Sequence, residues 1–187
     1  ASLPKADFFL KDFNLLSQLQ HLSLRMNLTA LNNETVDLLA QSLRSFCNLQ
    51  SFKFIVYPAI DDLPIQCDNI QELFNALGSI KCLKVLHLVL QRYDQYINNE
   101  GFSALCDALE NLVGLREFNF GAKRSDSNDE GINKLATTLP KLVNLEKINV
   151  DFSLGSKNKN ENLPVFLKSL LALKYLKKIE LRLSCCE

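Results

Sequence analysis

One short apolar string, Leu-x-x-Leu-x-Leu with other large apolar residues allowed, returns six times along the 187-residue chain and restricts its fold more than any other feature. It reads Leu19-Gln-His-Leu22-Ser-Leu24, then Leu49-Gln-Ser-Phe52-Lys-Phe54, then Leu83-Lys-Val-Leu86-His-Leu88. It continues as Leu115-Arg-Glu-Phe118-Asn-Phe120, Leu145-Glu-Lys-Ile148-Asn-Val150 and Leu176-Lys-Lys-Ile179-Glu-Leu181. The first leucines lie 30, 34, 32, 30 and 31 residues apart. An interval that steady marks a repeated structural unit.

Each unit has two halves with different periods. Around the string, apolar and polar residues alternate, as in Leu22/Leu24/Met26 against Ser23/Arg25, or Leu86/Leu88/Leu90 against His87. Period two predicts strands with one face to bury, near residues 20–26, 50–56, 84–90, 116–122, 146–152 and 177–183. Between strands the spacing becomes three and four, as in Val36/Leu39/Leu43/Phe46 and Ile70/Leu73/Leu77/Ile80. The same stripe returns in Phe102/Leu105/Leu109/Leu112, Ile132/Leu135/Leu139/Leu142 and Leu163/Phe166/Leu170/Leu173, which predicts helices. Asn33-Glu34, Asn99-Glu100-Gly101, Asp129-Glu130-Gly131 and Asn160-Glu161 supply capping side chains and acids where such helices would start. Phe9, Phe13 and Leu16 fit a partial first unit over residues 1–18. A unit this short can bury neither half alone, so successive units must stack, strand on strand and helix on helix.

At this point the chain resembles the leucine-rich repeat family over nearly its whole length. The long unit and the helix starts of Asn-x-Glu-Gly type resemble the ribonuclease-inhibitor-like subclass, and the Asn, Lys and Phe bias is similar to arrays in predicted ciliate proteins. The resemblance implies a single α/β domain over residues 1–187. It would be a curved solenoid with a concave parallel sheet that binds another protein and helices on the convex side. One departure stands out. The family's inward Asn or Cys after the strand is matched by Asn27 alone, with Tyr57, Gln91, Lys123, Ser153 and Ser184 at the other places. The strand-to-helix loops are therefore expected to differ from one another.

Chemistry is disfavoured. The histidines, His21 and His87, fall two units apart, so a Ser–His–Asp or Cys–His set would have to converge across several strands. There is no phosphate-cradling glycine loop and no Cys-x-x-Cys pair. Cys47, Cys82 and Cys106 read as small buried hydrophobes, Cys67 as a loop residue and Cys185-Cys186 as a tail. Reduced thiols in a cytoplasmic setting are the expectation, although two sequons at Asn27 and Asn33 point the other way. No metal, no cofactor and no catalytic residue is expected.

Basic and acidic residues balance at 21 each, which excludes a strongly charged nucleic-acid or membrane-surface binder as a whole. No apolar run is long enough to span a bilayer, and the first residues lack the pattern of a signal peptide. Residues 157–187 carry seven basic residues against three acids, which makes RNA binding at that end an alternative. A second alternative is regulation of a GTPase, with Arg25 or Arg92 as the acting side chain.

The outward strand positions are mostly polar, except in the second and third units. There Ile55, Val85 and Val89 gather around His87, and Tyr57, Tyr93 and Tyr96 follow at the same edge. Apolar and aromatic side chains beside Lys53 and Arg92 have the composition of a partner-binding patch. The competing reading has the segment Tyr57–Asn69 folded back over them. The last strand has no helix after it, so the Leu163–Leu173 stripe, Ile179, Leu181 and Leu183 are expected at an uncovered edge. That edge would meet further repeats, a partner or another copy of the chain.

Overall fold

The computed structural model describes residues 10–27, 30–57, 69–91, 99–123, 129–151 and 163–182. Strands and helices alternate through them. The strands are β1 (His21–Asn27), β2 (Ser51–Tyr57), β3 (Val85–Gln91), β4 (Glu117–Lys123), β5 (Lys147–Asp151) and β6 (Lys178–Arg182). The helices are α1 (Asn33–Ser45), α2 (Ile70–Gly78), α3 (Asn99–Glu110), α4 (Asp129–Thr138) and α5 (Leu163–Leu170). The strands form one six-stranded sheet in sequence order, each parallel to the next.

Every strand begins one residue later than the period-two pattern suggested. The residue before each strand already takes part in the ladder through its carbonyl. Gln20, Gln50, Lys84, Arg116 and Glu146 each accept from the two backbone N–H groups opposite, one of them at 2.8 Å. The register places equivalent residues of successive units side by side: Leu22, Phe52, Leu86, Phe118, Ile148 and Ile179 form one inward row. Leu24, Phe54, Leu88, Phe120, Val150 and Leu181 form the next.

All five helices send their apolar stripes into the core behind these rows. Val36, Leu39, Leu43, Leu73, Leu77, Leu105, Leu109, Leu135 and Phe166 are fully buried there with the inward strand side chains. Burying a side chain of this size stabilises by about 1.5–3 kcal/mol, so the inward rows and stripes together supply the main driving force. Neighbouring helices pack in chain order, like the strands. Two glycines set how close they come. A Cβ on Gly78 would stand 3.0 Å from the Cα of Ala108, and one on Gly131 would stand 3.1 Å from the Phe102 ring. Both gaps are tighter than an added carbon ordinarily accepts, so a Cβ at either glycine would require its neighbour to shift by a few tenths of an ångström.

Asn69 before α2 makes no side-chain cap; only at α1 do the described residues show one, one residue earlier than expected. Its cap is Asn32, not Asn33: the Asn32 side chain accepts from the Thr35 N–H at 2.8 Å, and the Thr35 hydroxyl donates back to the Ala30 carbonyl at 2.9 Å. Asn33 is instead the first helical residue, with Glu34 in the favoured first turn. The side chains of Asn99, Asp129 and Glu130, and all of Asn160 and Glu161, lie outside the described residues.

Candidate functional site

With every described helix on one side, what the described residues place on the other face of the sheet is its own side chains. Three outward rows cross it. The first is His21, Ser51, Val85, Glu117, Lys147 and Lys178; the second is Ser23, Lys53, His87, Asn119, Asn149 and Glu180. The third is Arg25, Ile55, Val89, Gly121, Asp151 and Arg182. These are the columns expected from the alternation in the sequence.

The rows divide into two regions of different chemistry. On β4 to β6 the charges satisfy one another. Lys147 meets Glu117 at 2.6 Å, Lys178 meets Glu180 at 2.5 Å, and Asn149 donates to Glu180 at 3.0 Å. Arg182 stands 3.9 Å from Asp151, a carboxylate only 8% exposed beside the gap that Gly121 leaves in the row. The hydrogen bond and charge of Lys178 hold the Glu180 carboxyl below its usual range, and those of Glu117 raise the Lys147 ammonium above its own.

On β1 to β3 the outward positions contain no acid. Arg25 and Lys53 are exposed, and among the described residues neither has an ion-pair partner. Ile55, Val85, His87 and Val89 are half-buried on the neighbouring positions of β2 and β3. His87 lies opposite Lys53, and its pKa is lowered first by burial and then by the charges of Lys53 and Arg25, so it is neutral at pH 7. A shallow depression of about 170 Å³ runs from Lys53, Val85 and His87 across Asn119 and Asn149 to Glu180.

The sequence therefore brings together Ile55, Val85, His87 and Val89, with Tyr57 exposed at the end of β2. Tyr93, Tyr96 and Arg92 lie outside the described residues, as does most of the Tyr57–Asn69 segment proposed as a cover. His21 and His87 are two strands and one row apart. No protein-family model matches this chain, and no curated protein matches it.

Elsewhere, two of the three cysteines expected to be buried are not fully so. Cys47 is exposed rather than buried, because it follows the α1 stripe at the turn and its thiol reaches only the Ser17 carbonyl, at 3.7 Å. Cys82 is half-buried, its sulfur 3.1 Å from the Leu49 carbonyl, and Cys106 is fully buried. Burial pushes the Cys106 thiol up to about 12, against a smaller downward pull from Lys134. At neutral pH that leaves roughly one part in 10⁵ as the reactive thiolate. Iodoacetamide is expected to label Cys47 in the native protein and Cys106 only after denaturant is added, read by peptide mass mapping. Native labelling of Cys106 at the rate of Cys47 would contradict this packing.

The edge at β6 follows expectation in part, with Leu183 outside the described residues. Phe166, Leu170 and Leu173 of the stripe are buried, whereas Ile179 is half exposed. The apolar side chains open to solvent include Val165, Leu171 and Tyr175, on the other sides of α5 and its exit turn. The basic excess there is partly committed: Lys177 binds Glu146 at 2.6 Å, while Lys178 and Arg182 face Glu180 and Asp151. Among the described residues there is no group of His, Cys, Asp or Glu able to hold a metal ion, and no helix long and apolar enough to cross a membrane.

Proposed function

We propose that the chain is a leucine-rich-repeat array of the ribonuclease-inhibitor-like kind, acting as a non-catalytic module that binds or scaffolds a protein through the open, concave face of its sheet. The observation that carries this reading is the bare face itself. Parallel sheets are ordinarily covered by helices on both sides, so their strands read as continuous apolar runs. Here the strands alternate and the described helices lie on one side, so among the described residues no helix covers the half-buried aliphatic side chains of the other face. A contiguous mixture of aliphatic groups and cations is the make-up of a protein-recognition surface. The side chains assigned to contact are Ile55, Tyr57, Val85, His87 and Val89, with Tyr93 and Tyr96 as candidates outside the described residues.

The test is affinity capture from native lysate with the wild type beside Val89→Glu, both first shown to melt at the same temperature. The expected result is at least one protein retained by the wild type and lost from the variant. Identical sets from both baits would remove this face as the binding surface.

A further inference from the structure

The free face is asymmetric, and the asymmetry specifies its partner. All three acids on its outward rows lie on β4 to β6, each beside a cation. Both permanent cations on β1 to β3, Arg25 and Lys53, have none among the described residues. Unpaired like charges close together are unfavourable and are relieved by an anion. His87 sits opposite Lys53 in the same patch, and burial first and then the charges of Lys53 and Arg25 lower its pKa.

The apolar groups are interleaved with the cations. Ile55 pairs with Val89 and follows Lys53 by two residues; Val85 and Val89 flank His87 on the same face. The whole patch covers three strands. At about 4.8 Å between strands and 3.3 Å per residue that is roughly 14 by 17 Å, or about 240 Å². A folded protein of ordinary affinity covers about 800 Å² on each side. The apolar and cationic rows by themselves match the footprint of a short extended segment.

Building on the protein-binding reading above, we infer that β1 to β3 of the free face bind a short acidic segment of another protein, with its carboxylates on Arg25 and Lys53 and its apolar side chains on Ile55, Val85 and Val89. A nucleic acid fits less well. Two lysine or arginine side chains make few phosphate contacts, and the patch offers aliphatic groups where bases require aromatic platforms.

The experiment uses the full chain, immobilised, and a phage-displayed library of random 12-residue peptides. Enriched peptides are synthesised and titrated against the wild type, Arg25→Glu/Lys53→Glu, Val85→Ser/Val89→Ser and Val89→Glu, alongside a uridine 12-mer. Each variant is included only after its melting temperature matches the wild type. The expected peptides carry net negative charge and aliphatic residues. Their affinity should fall at least tenfold with the charge-reversed pair, fall with the serine pair, and weaken as salt rises. Peptides that are neutral or basic yet weakened by Val89→Glu would overturn the acidic assignment and leave the protein-binding face standing. Tighter binding of the uridine 12-mer, lost with Arg25→Glu/Lys53→Glu, would overturn it in favour of nucleic acid. An empty selection, or peptides indifferent to every substitution, would overturn both readings.

Discussion

Phe120→Ala is expected to lower the free energy of unfolding by about 3–5 kcal/mol, the usual cost of removing a buried phenylalanine. Phe120 is fully buried on the inward face of β4. Its ring stacks beside that of Phe118, with centroids 6.1 Å apart, and meets the edge of Phe102 from α3 at 5.6 Å. Each such pair contributes about 0.5–1.5 kcal/mol beyond burial. Phe102 is also the ring on which Gly131 of α4 rests, so one cavity loosens β4, α3 and α4 together. A domain has only about 5–15 kcal/mol to lose. Urea denaturation followed by circular dichroism checks this. The midpoint should drop sharply with the slope unchanged, whereas Val113→Ala, at a site 55% exposed, should move it by less than about 0.5 kcal/mol. A loss below about 1 kcal/mol at Phe120 would mean that the cluster collapses to fill the space.

Much of this core could be read directly from spacing. The strings starting at Leu19, Leu49, Leu83, Leu115, Leu145 and Leu176 gave all six strands and their order, because one inward row per unit leaves a single register in which every apolar residue is covered. The helical stripes were legible for the same reason. The outward rows were legible as positions but not as a surface. Pairing of Lys147 with Glu117, or Lys178 with Glu180, depends on rotamers and on distances across strands, which no period encodes. The free Arg25 and Lys53 became meaningful only once those pairs were seen. Cys47 was misread because an apolar-type residue beside a stripe looks buried, while the turn after Phe46 points it outward. The exposure of Val165 and Leu171 is not legible from spacing, because apolar residues stand both on and off the stripe of this short helix and its exit turn.

Leu88 and Val89 are neighbours on β3, and an acid at one should unfold the protein while an acid at the other leaves it intact. Leu88 is fully buried between Phe54 and Phe120 of the adjacent strands. Leu88→Asp would place a carboxylate among apolar side chains with no cation within the inward row. Keeping it charged costs several kcal/mol, and neutralising it still leaves a polar group without a partner and a smaller volume than leucine. These losses together approach the entire stability of a domain of this size. Val89 points to the free face, half-buried, in the row that runs from Arg25 through Ile55 to the gap at Gly121. A glutamate there can extend into water and has Arg25 in the same row, so Val89→Glu should change stability by less than about 1 kcal/mol. The check is a thermal melt and a size-exclusion profile for each variant. Leu88→Asp should show no cooperative transition, and Val89→Glu should superimpose on the wild type. If Val89→Glu also unfolds, its side chain is covered by chain outside the described residues, and the free face on β1 to β3 is not available to a partner. If it folds, its failure to bind can be ascribed to the surface and not to loss of structure.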